Sequence, residues 1–84
     1  MIELYTASTC PNCKTMKQRL IDAKIPFREN NTDNETEMLK MFMDGRCTVP
    51  TVVQVDEDGY RHVLEDEELD DFIREAKILK KEVK

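Results

Sequence analysis

Cys10 and Cys13 stand three residues apart in Cys10-Pro11-Asn12-Cys13, after a short apolar run and at the head of a helical pattern. At a helix N-terminus the first sulfur faces unpaired backbone N–H groups and the positive end of the helix dipole, so a thiolate is stabilised there. Pro11 suits the first helical position, where its missing N–H is one the helix leaves unpaired anyway. Cys13 then lies one turn on, within reach of Cys10. This arrangement suits thiol-disulfide exchange: Cys10 attacks a substrate disulfide as a thiolate, a mixed disulfide forms, and Cys13 resolves it. Lys14 either favours the Cys10 thiolate electrostatically or is a solvated helix residue.

The elements that must hold this pair can be read from periodicity. Ile2 to Thr6 is a short strand of β-branched and aromatic residues, and Ala7 to Thr9 form the loop that delivers Cys10. A first helix is expected from Pro11 to about Lys24, with Met16, Leu20 and Ala23 on one face. Pro26 blocks its continuation, and Pro26 to Asn30 form a second strand. Thr32 or Asp33 caps a second helix that carries Met38, Leu39, Phe42 and Met43 on an apolar face and ends near Gly45. Thr51 to Val55 and Tyr60 to Leu64 pair as a hairpin across Asp56-Glu57-Asp58-Gly59. Asp66 caps a last helix with Leu69, Phe72, Ile73, Ala76, Leu79 or Lys80, and Val83 at helical spacing. The order βαβ, α, ββ, α implies an α/β domain over residues 1–84, with four strands in a sheet flanked by helices.

Composition narrows the function. The chain has 84 residues, enough for one small core. Its net charge of −5 argues against non-specific nucleic-acid or anionic-membrane binding, both of which depend on Lys and Arg. No apolar run spans a bilayer and no signal-peptide pattern opens the chain, so a cytoplasmic location is expected. Three cysteines are an odd number, unlike a secreted disulfide scaffold, and in a reducing compartment a Cys-x-x-Cys is more often catalytic or metal-binding than structural.

That order of elements, with Cys-Pro-x-Cys after the first strand and Thr48-Val49-Pro50 just before the third, resembles the thioredoxin superfamily, and within it the glutaredoxins and NrdH-type redoxins. The resemblance covers residues 1 to 74. It implies a thioredoxin fold with a mixed four-stranded sheet, a redox-active Cys10–Cys13 disulfide with no bound cofactor, a cis Pro50, and a Thr48-Val49-Pro50 docking wall in which Val49 offers backbone hydrogen bonds to a partner. Pro11, Asn12 and Lys14 would tune the site. Protein disulfides, a ribonucleotide reductase among them, would be the clients of a monomeric cytoplasmic thiol-disulfide oxidoreductase.

The departures from the family pattern are equally informative. Glutaredoxins typically carry a Lys three positions before the first cysteine, a Tyr inside the motif, and a Gly-Gly followed by Asp, and these hold glutathione. Here those places carry Ala7, Asn12 and Leu64-Glu65 before Asp66. A cation for the glutathione carboxylates is missing, and the acids from Glu65 to Glu68 repel them. A thioredoxin-reductase-type or other dithiol donor is therefore expected in preference to glutathione. The Trp-Ser-Gly-Phe typical of NrdH-type C-terminal regions is also absent.

Other readings stand beside these. The dithiol could be structural, or the domain could be a redox-inert binding module that recruits a basic partner through its acidic face. Zinc would need four ligands, and only Cys47 and His62 remain to complete a set, at no standard spacing. Cys47, three residues before Pro50, is read as a semi-buried small residue rather than a regulatory thiol. His62 is read as a surface strand residue, and the methionines Met38, Met41 and Met43 as core filler.

Overall fold

The structure is a computed structural model that describes residues 1–82; Val83 lies outside the described residues, as do the side chains of Asp66 and of residues 80–82. The chain runs β1 (Ile2–Thr6), α1 (Pro11–Asp22), β2 (Phe27–Asn31), α2 (Glu35–Met43), β3 (Thr51–Val55), β4 (Arg61–Leu64) and α3 (Asp66–Glu82). The strands form one sheet in the order β2-β1-β3-β4. β1 pairs parallel with β2 and antiparallel with β3, and β3 pairs antiparallel with β4. This is the expected mixed sheet.

Alternation along the strands divides the interior in two. Ile2, Leu4, Val52 and Leu64 face a core shared with Leu20, Ala23 and Ile25 and with Leu69 and Ile73 of α3. Tyr5 and Val53 point to the opposite face, where Met41 of α2 covers them. Leu4 and Leu20 are fully buried, and each such side chain contributes about 1.5–3 kcal/mol by leaving water. Helices α1 and α3 therefore cover one face of the sheet and α2 the other.

The first helix ends two residues before the expected boundary. Ala23 is its C-cap. Lys24 follows with φ 56°, in the left-handed region. The amide of Ile25 donates to the Leu20 carbonyl at 3.0 Å, and that of Lys24 to Ile21 at 2.9 Å. These two bonds close the helix in a Schellman arrangement, with Lys where Gly is usual. The second strand shifts by one residue accordingly, to Phe27–Asn31.

Helix α2 departs further from expectation. Its cap is Asn34, whose side chain accepts from the Thr36 amide at 2.9 Å. Thr32 and Asp33 serve the neighbouring turn instead: the Thr32 hydroxyl donates to the Thr6 carbonyl at 2.7 Å, and the Ser8 hydroxyl donates to Asp33. Met41 is the buried residue, whereas Leu39 and Phe42 are exposed and Met43 is 87% exposed. Of the three methionines, only Met41 is buried core filler. The sheet face beneath α2 is partly polar, so an apolar count alone does not identify the side that turns inward.

The hairpin turn is closed by Asp56, whose carboxylate accepts from the amides of Asp58 at 3.0 Å and Tyr60 at 2.9 Å. Gly59 takes φ 84° there, a conformation that glycine adopts without steric cost. β4 begins at Arg61 and leaves Tyr60 exposed. Helix α3 starts at Asp66, so Glu65, not Asp66, holds the cap position, and its carbonyl accepts from Glu68 at 3.0 Å. Leu69 and Ile73 are buried and Phe72 and Ala76 pack beside them, while Leu79 is exposed.

Candidate active site

β1 ends at Thr6, and a turn in which the Cys10 amide donates to the Ala7 carbonyl at 3.3 Å brings the chain to α1. Cys10 is the N-cap, with extended backbone (φ −108°, ψ 101°), and Pro11 opens the helix. The Cys13 amide donates to Cys10 Sγ at 3.1 Å. Capping by sulfur occurs here because Cys10 occupies the position where the first-turn amides lack partners. The same amide would stabilise a thiolate in the reduced protein.

Cys10 and Cys13 are joined as a disulfide, with their Cα atoms 5.3 Å apart. The two sulfurs are not equivalent. Cys13 is 3% exposed, whereas Cys10 is half-buried at the surface. Pro11, Asn12 and Lys14 are exposed around them. An incoming reagent thus meets Cys10, and Cys13 is shielded behind it. The loop is braced from β2 and the turn after it by the Thr32 amide, which donates to the Thr6 carbonyl at 2.7 Å, and by the Ser8–Asp33 bond.

Beside the disulfide is a cavity of about 280 Å³ whose lining includes Cys10, Cys13, Lys14, Lys17 and Glu29. Glu29 is bound on two sides: Lys17 Nζ lies 2.8 Å away and the Thr6 hydroxyl donates to it at 2.8 Å. The hydrogen bond from Lys17, seconded by that from Thr6, holds the Glu29 carboxyl below the usual range.

The Thr48-Val49-Pro50 segment reaches the same end of the molecule by topology. Tyr5 pairs with Thr51 in the antiparallel β1–β3 register, so the C-terminus of β1 and the N-terminus of β3 are adjacent. The Val49–Pro50 peptide bond is cis. Thr48 is exposed, Val49 and Pro50 are half-buried, and the Thr51 hydroxyl donates to the Thr48 carbonyl at 2.7 Å. Pro50 lines a separate groove of about 310 Å³ together with Arg46, Thr51, Leu64 and Glu65. The dithiol and Pro50 thus share an end of the sheet but border different hollows. Cys47 is exposed, not semi-buried, because the segment between α2 and β3 runs over the surface.

Sequence reasoning assigned no cation to this groove, yet Arg46 borders it and forms an ion pair with Glu65. The two residues are 19 positions apart, and no local pattern links them. A larger omission is the charged cluster under α2. Arg61 forks between Asp44, at 2.8 and 2.9 Å, and Glu3, at 3.0 and 3.1 Å, and also meets the Tyr5 hydroxyl at 3.1 Å. The Tyr5 hydroxyl donates to Asp44 at 2.7 Å, and Asn30 donates to Glu3 at 2.7 Å. Arg61, as the leading cause, holds both carboxyls below their usual range, while burial followed by Asp44 pushes the Tyr5 phenol up. Asp44 is the C-cap of α2, so the cluster anchors the chain where it leaves for Arg46 to Pro50. The available signal was Glu3 itself, a charge in the middle of an apolar strand.

Among the described residues no group of three or more His, Cys, Asp or Glu side chains could hold a metal ion. His62 lies 2.8 Å from Glu68 of α3, on the sheet surface. No helix among the described residues is long and apolar enough to cross a membrane.

The fold is that of thioredoxin-like proteins. The structure matches the crystal structure of the thioredoxin-like protein BC3987 with a TM-score of 0.68 and 24% sequence identity, over 87% of this chain and 99% of that one. A mutant of the same protein matches with a TM-score of 0.68 and 22% identity, over 88% of this chain and 99% of that one. The family model for glutaredoxin matches residues 2–59, and the chain belongs to the glutaredoxin family. No match is found among curated proteins. Family membership and the paired cysteines together support a redox thiol function.

Proposed function

We propose that the protein is a dithiol oxidoreductase that reduces protein disulfides through Cys10 and Cys13, and that a protein dithiol recharges it in preference to glutathione. The observation that carries this reading is the unequal exposure of the two sulfurs at the head of α1, in a chain of the glutaredoxin family. Cys10 is the nucleophile. Its thiolate attacks one sulfur of a client disulfide, and the other client sulfur leaves with the bond's electron pair and takes up a proton. Cys13 then loses its proton and attacks Cys10 Sγ, the mixed disulfide breaks, and the client departs as a dithiol. The two electrons lost by Cys10 and Cys13 are restored by a donor dithiol, which becomes a disulfide.

Pro11, Asn12 and Lys14 frame the entry to Cys10, and Thr48, Val49 and Pro50 form the wall against which a client chain docks. Clients with disulfides of this kind include a ribonucleotide reductase, and the setting is a reducing cytoplasmic compartment. The preference against glutathione is supported by Ala7 and Asn12, which offer no charge, and by Glu65. That carboxylate is already seated on Arg46, the one cation among the described residues that line the groove with Pro50, so a ligand carboxylate must displace it. The acids that follow Glu65 add repulsion.

The test is reduction of a protein disulfide by the wild type and by Cys10→Ser, with NADPH plus thioredoxin reductase or with glutathione plus glutathione reductase as donor. Turnover that is lost in Cys10→Ser and is faster with the thioredoxin reductase supports the reading. A wild type that turns over with neither donor, but still captures a partner after Cys10→Ser, would identify a binding module instead.

A further inference from the structure

The cavity beside the disulfide holds a second pair of opposite charges that the exchange steps above do not use. Lys17 follows Cys13 by four residues on α1, and residues so spaced lie on the same helix face with their Cβ atoms about 5–6 Å apart. Glu29 reaches the same cavity from β2, fixed by Lys17 and by the Thr6 hydroxyl. Both side chains are 37% exposed, so neither is needed to fill the core. We propose that the Lys17–Glu29 pair sets the acidity and redox poise of the Cys10–Cys13 dithiol, with Glu29 cancelling most of the field of Lys17 at the sulfurs. The proposal rests on the dithiol being redox-active.

At the sulfurs a lone charge acts as a monopole and the paired charges as a dipole. Two opposite charges 2.8 Å apart act on a sulfur a turn away as a weak dipole, whereas either charge alone acts as a full unit. A unit charge about 6 Å away shifts a titration by about half a pH unit even at the dielectric of water. Lys17 alone would favour a thiolate, and Glu29 alone would oppose it. Glu29 is ionised across the whole range in which thiols titrate, since Lys17 and Thr6 hold its carboxyl low. The other charges near the dithiol are Lys14, on the rim of the same cavity, and Asp33, hydrogen-bonded to Ser8. Neither is changed in the test.

Acidity and poise are linked through the couple. Reduction breaks the Cys10–Cys13 bond and adds two electrons and, fully protonated, two protons, all supplied by a donor dithiol that is itself oxidised to a disulfide. Whatever stabilises a thiolate stabilises the reduced side and raises the potential. Glu29 thereby keeps the protein a better reductant, and Lys17 has the opposite effect.

The test uses the full chain with Glu29→Gln, which keeps the shape and the Thr6 contact, Lys17→Met, and the double variant. Two quantities are read: the pH midpoint for alkylation of the reduced protein by iodoacetamide, and the oxidised fraction after equilibration with dithiothreitol redox buffers. Glu29→Gln should lower the midpoint by about half a unit and shift the equilibrium about threefold toward the dithiol, a rise of about 15 mV. Lys17→Met should do the reverse, and the double variant should return to the wild-type values. A purely structural role cannot produce shifts of opposite sign that cancel. Shifts of the same sign, no shift in either single variant, or a double variant displaced as far as Glu29→Gln would overturn the proposal while leaving an intact couple and the redox reading in place. A wild type with no reversible Cys10–Cys13 couple would overturn both.

Discussion

Replacing Arg61 with Met retains much of the aliphatic stem and removes the guanidinium that donates five hydrogen bonds to Asp44, Glu3 and Tyr5. The side chains of Glu3 and Asp44 are only 7% and 9% exposed, so the variant strands two nearly buried carboxylates. Among the described residues Lys40, 3.8 Å from Glu3, is the remaining cation close to them. Removing one partner of a buried ion pair costs about 3–5 kcal/mol. Arg61 is itself 29% exposed, and solvent repays part of the loss, which places the expected destabilisation at about 3 kcal/mol. With an unfolding entropy of about 2.1 cal/mol/K per residue, that lowers the Tm of a chain of 84 residues by about 17 °C.

The pH dependence provides the sharper signature. Arg61 holds the Glu3 and Asp44 carboxyls below their usual range, so each contributes stability that is present above its unfolded pKa, near 4, and is lost as the pH falls through the lower folded value. In Arg61→Met those folded values rise, and the contribution is absent at neutral pH. The deficit against wild type should therefore be greatest at pH 7 and narrow toward pH 3.5. Urea unfolding of both oxidised proteins at pH 7, 5 and 3.5, followed by far-UV circular dichroism, measures it. A loss below about 1 kcal/mol at pH 7, or one of equal size at pH 3.5, would refute the assignment of the cluster as an ion-paired anchor.

Lys24→Gly should stabilise the protein by about 0.5–1 kcal/mol, because a left-handed residue with a Cβ is strained where glycine is not; a lower urea midpoint would contradict the reading of the α1 terminus. Glu65→Gln should release Arg46 and raise turnover with glutathione by up to about fivefold, the effect of up to about 1 kcal/mol gained from one exposed ion contact; an unchanged rate would remove that pair from the account of donor choice. In the reduced protein Cys10 should be alkylated before Cys13, with a midpoint below the free-thiol value of about 8.5. Mass mapping of singly alkylated protein reads the order, and first labelling at Cys13 would reverse the assigned roles.

Much of this molecule follows from local chemistry. The alternation of Ile2 and Leu4, the Cys10-Pro11-Asn12-Cys13 helix start, the Asp56-Glu57-Asp58-Gly59 turn and the apolar spacing of Leu69 and Ile73 each act over a few residues. They determined the element order, the location of the dithiol and which cysteine begins the helix. The remainder depended on partners distant in sequence. Whether Met41 or Phe42 turns inward was decided by the sheet face that α2 covers, where Glu3 and Asn30 are buried alongside Tyr5. Arg61 meets Glu3 across 58 positions, Arg46 meets Glu65 across 19, and Glu29 reaches Lys17 only because β2 lies parallel to β1 beside α1. Backbone periodicity carries no information about such pairings. Charges distant in sequence acquire specific partners only when the closed chain brings them within a few ångströms of each other, and of these pairs it is Glu3–Arg61 that does so with one partner largely shielded from screening solvent.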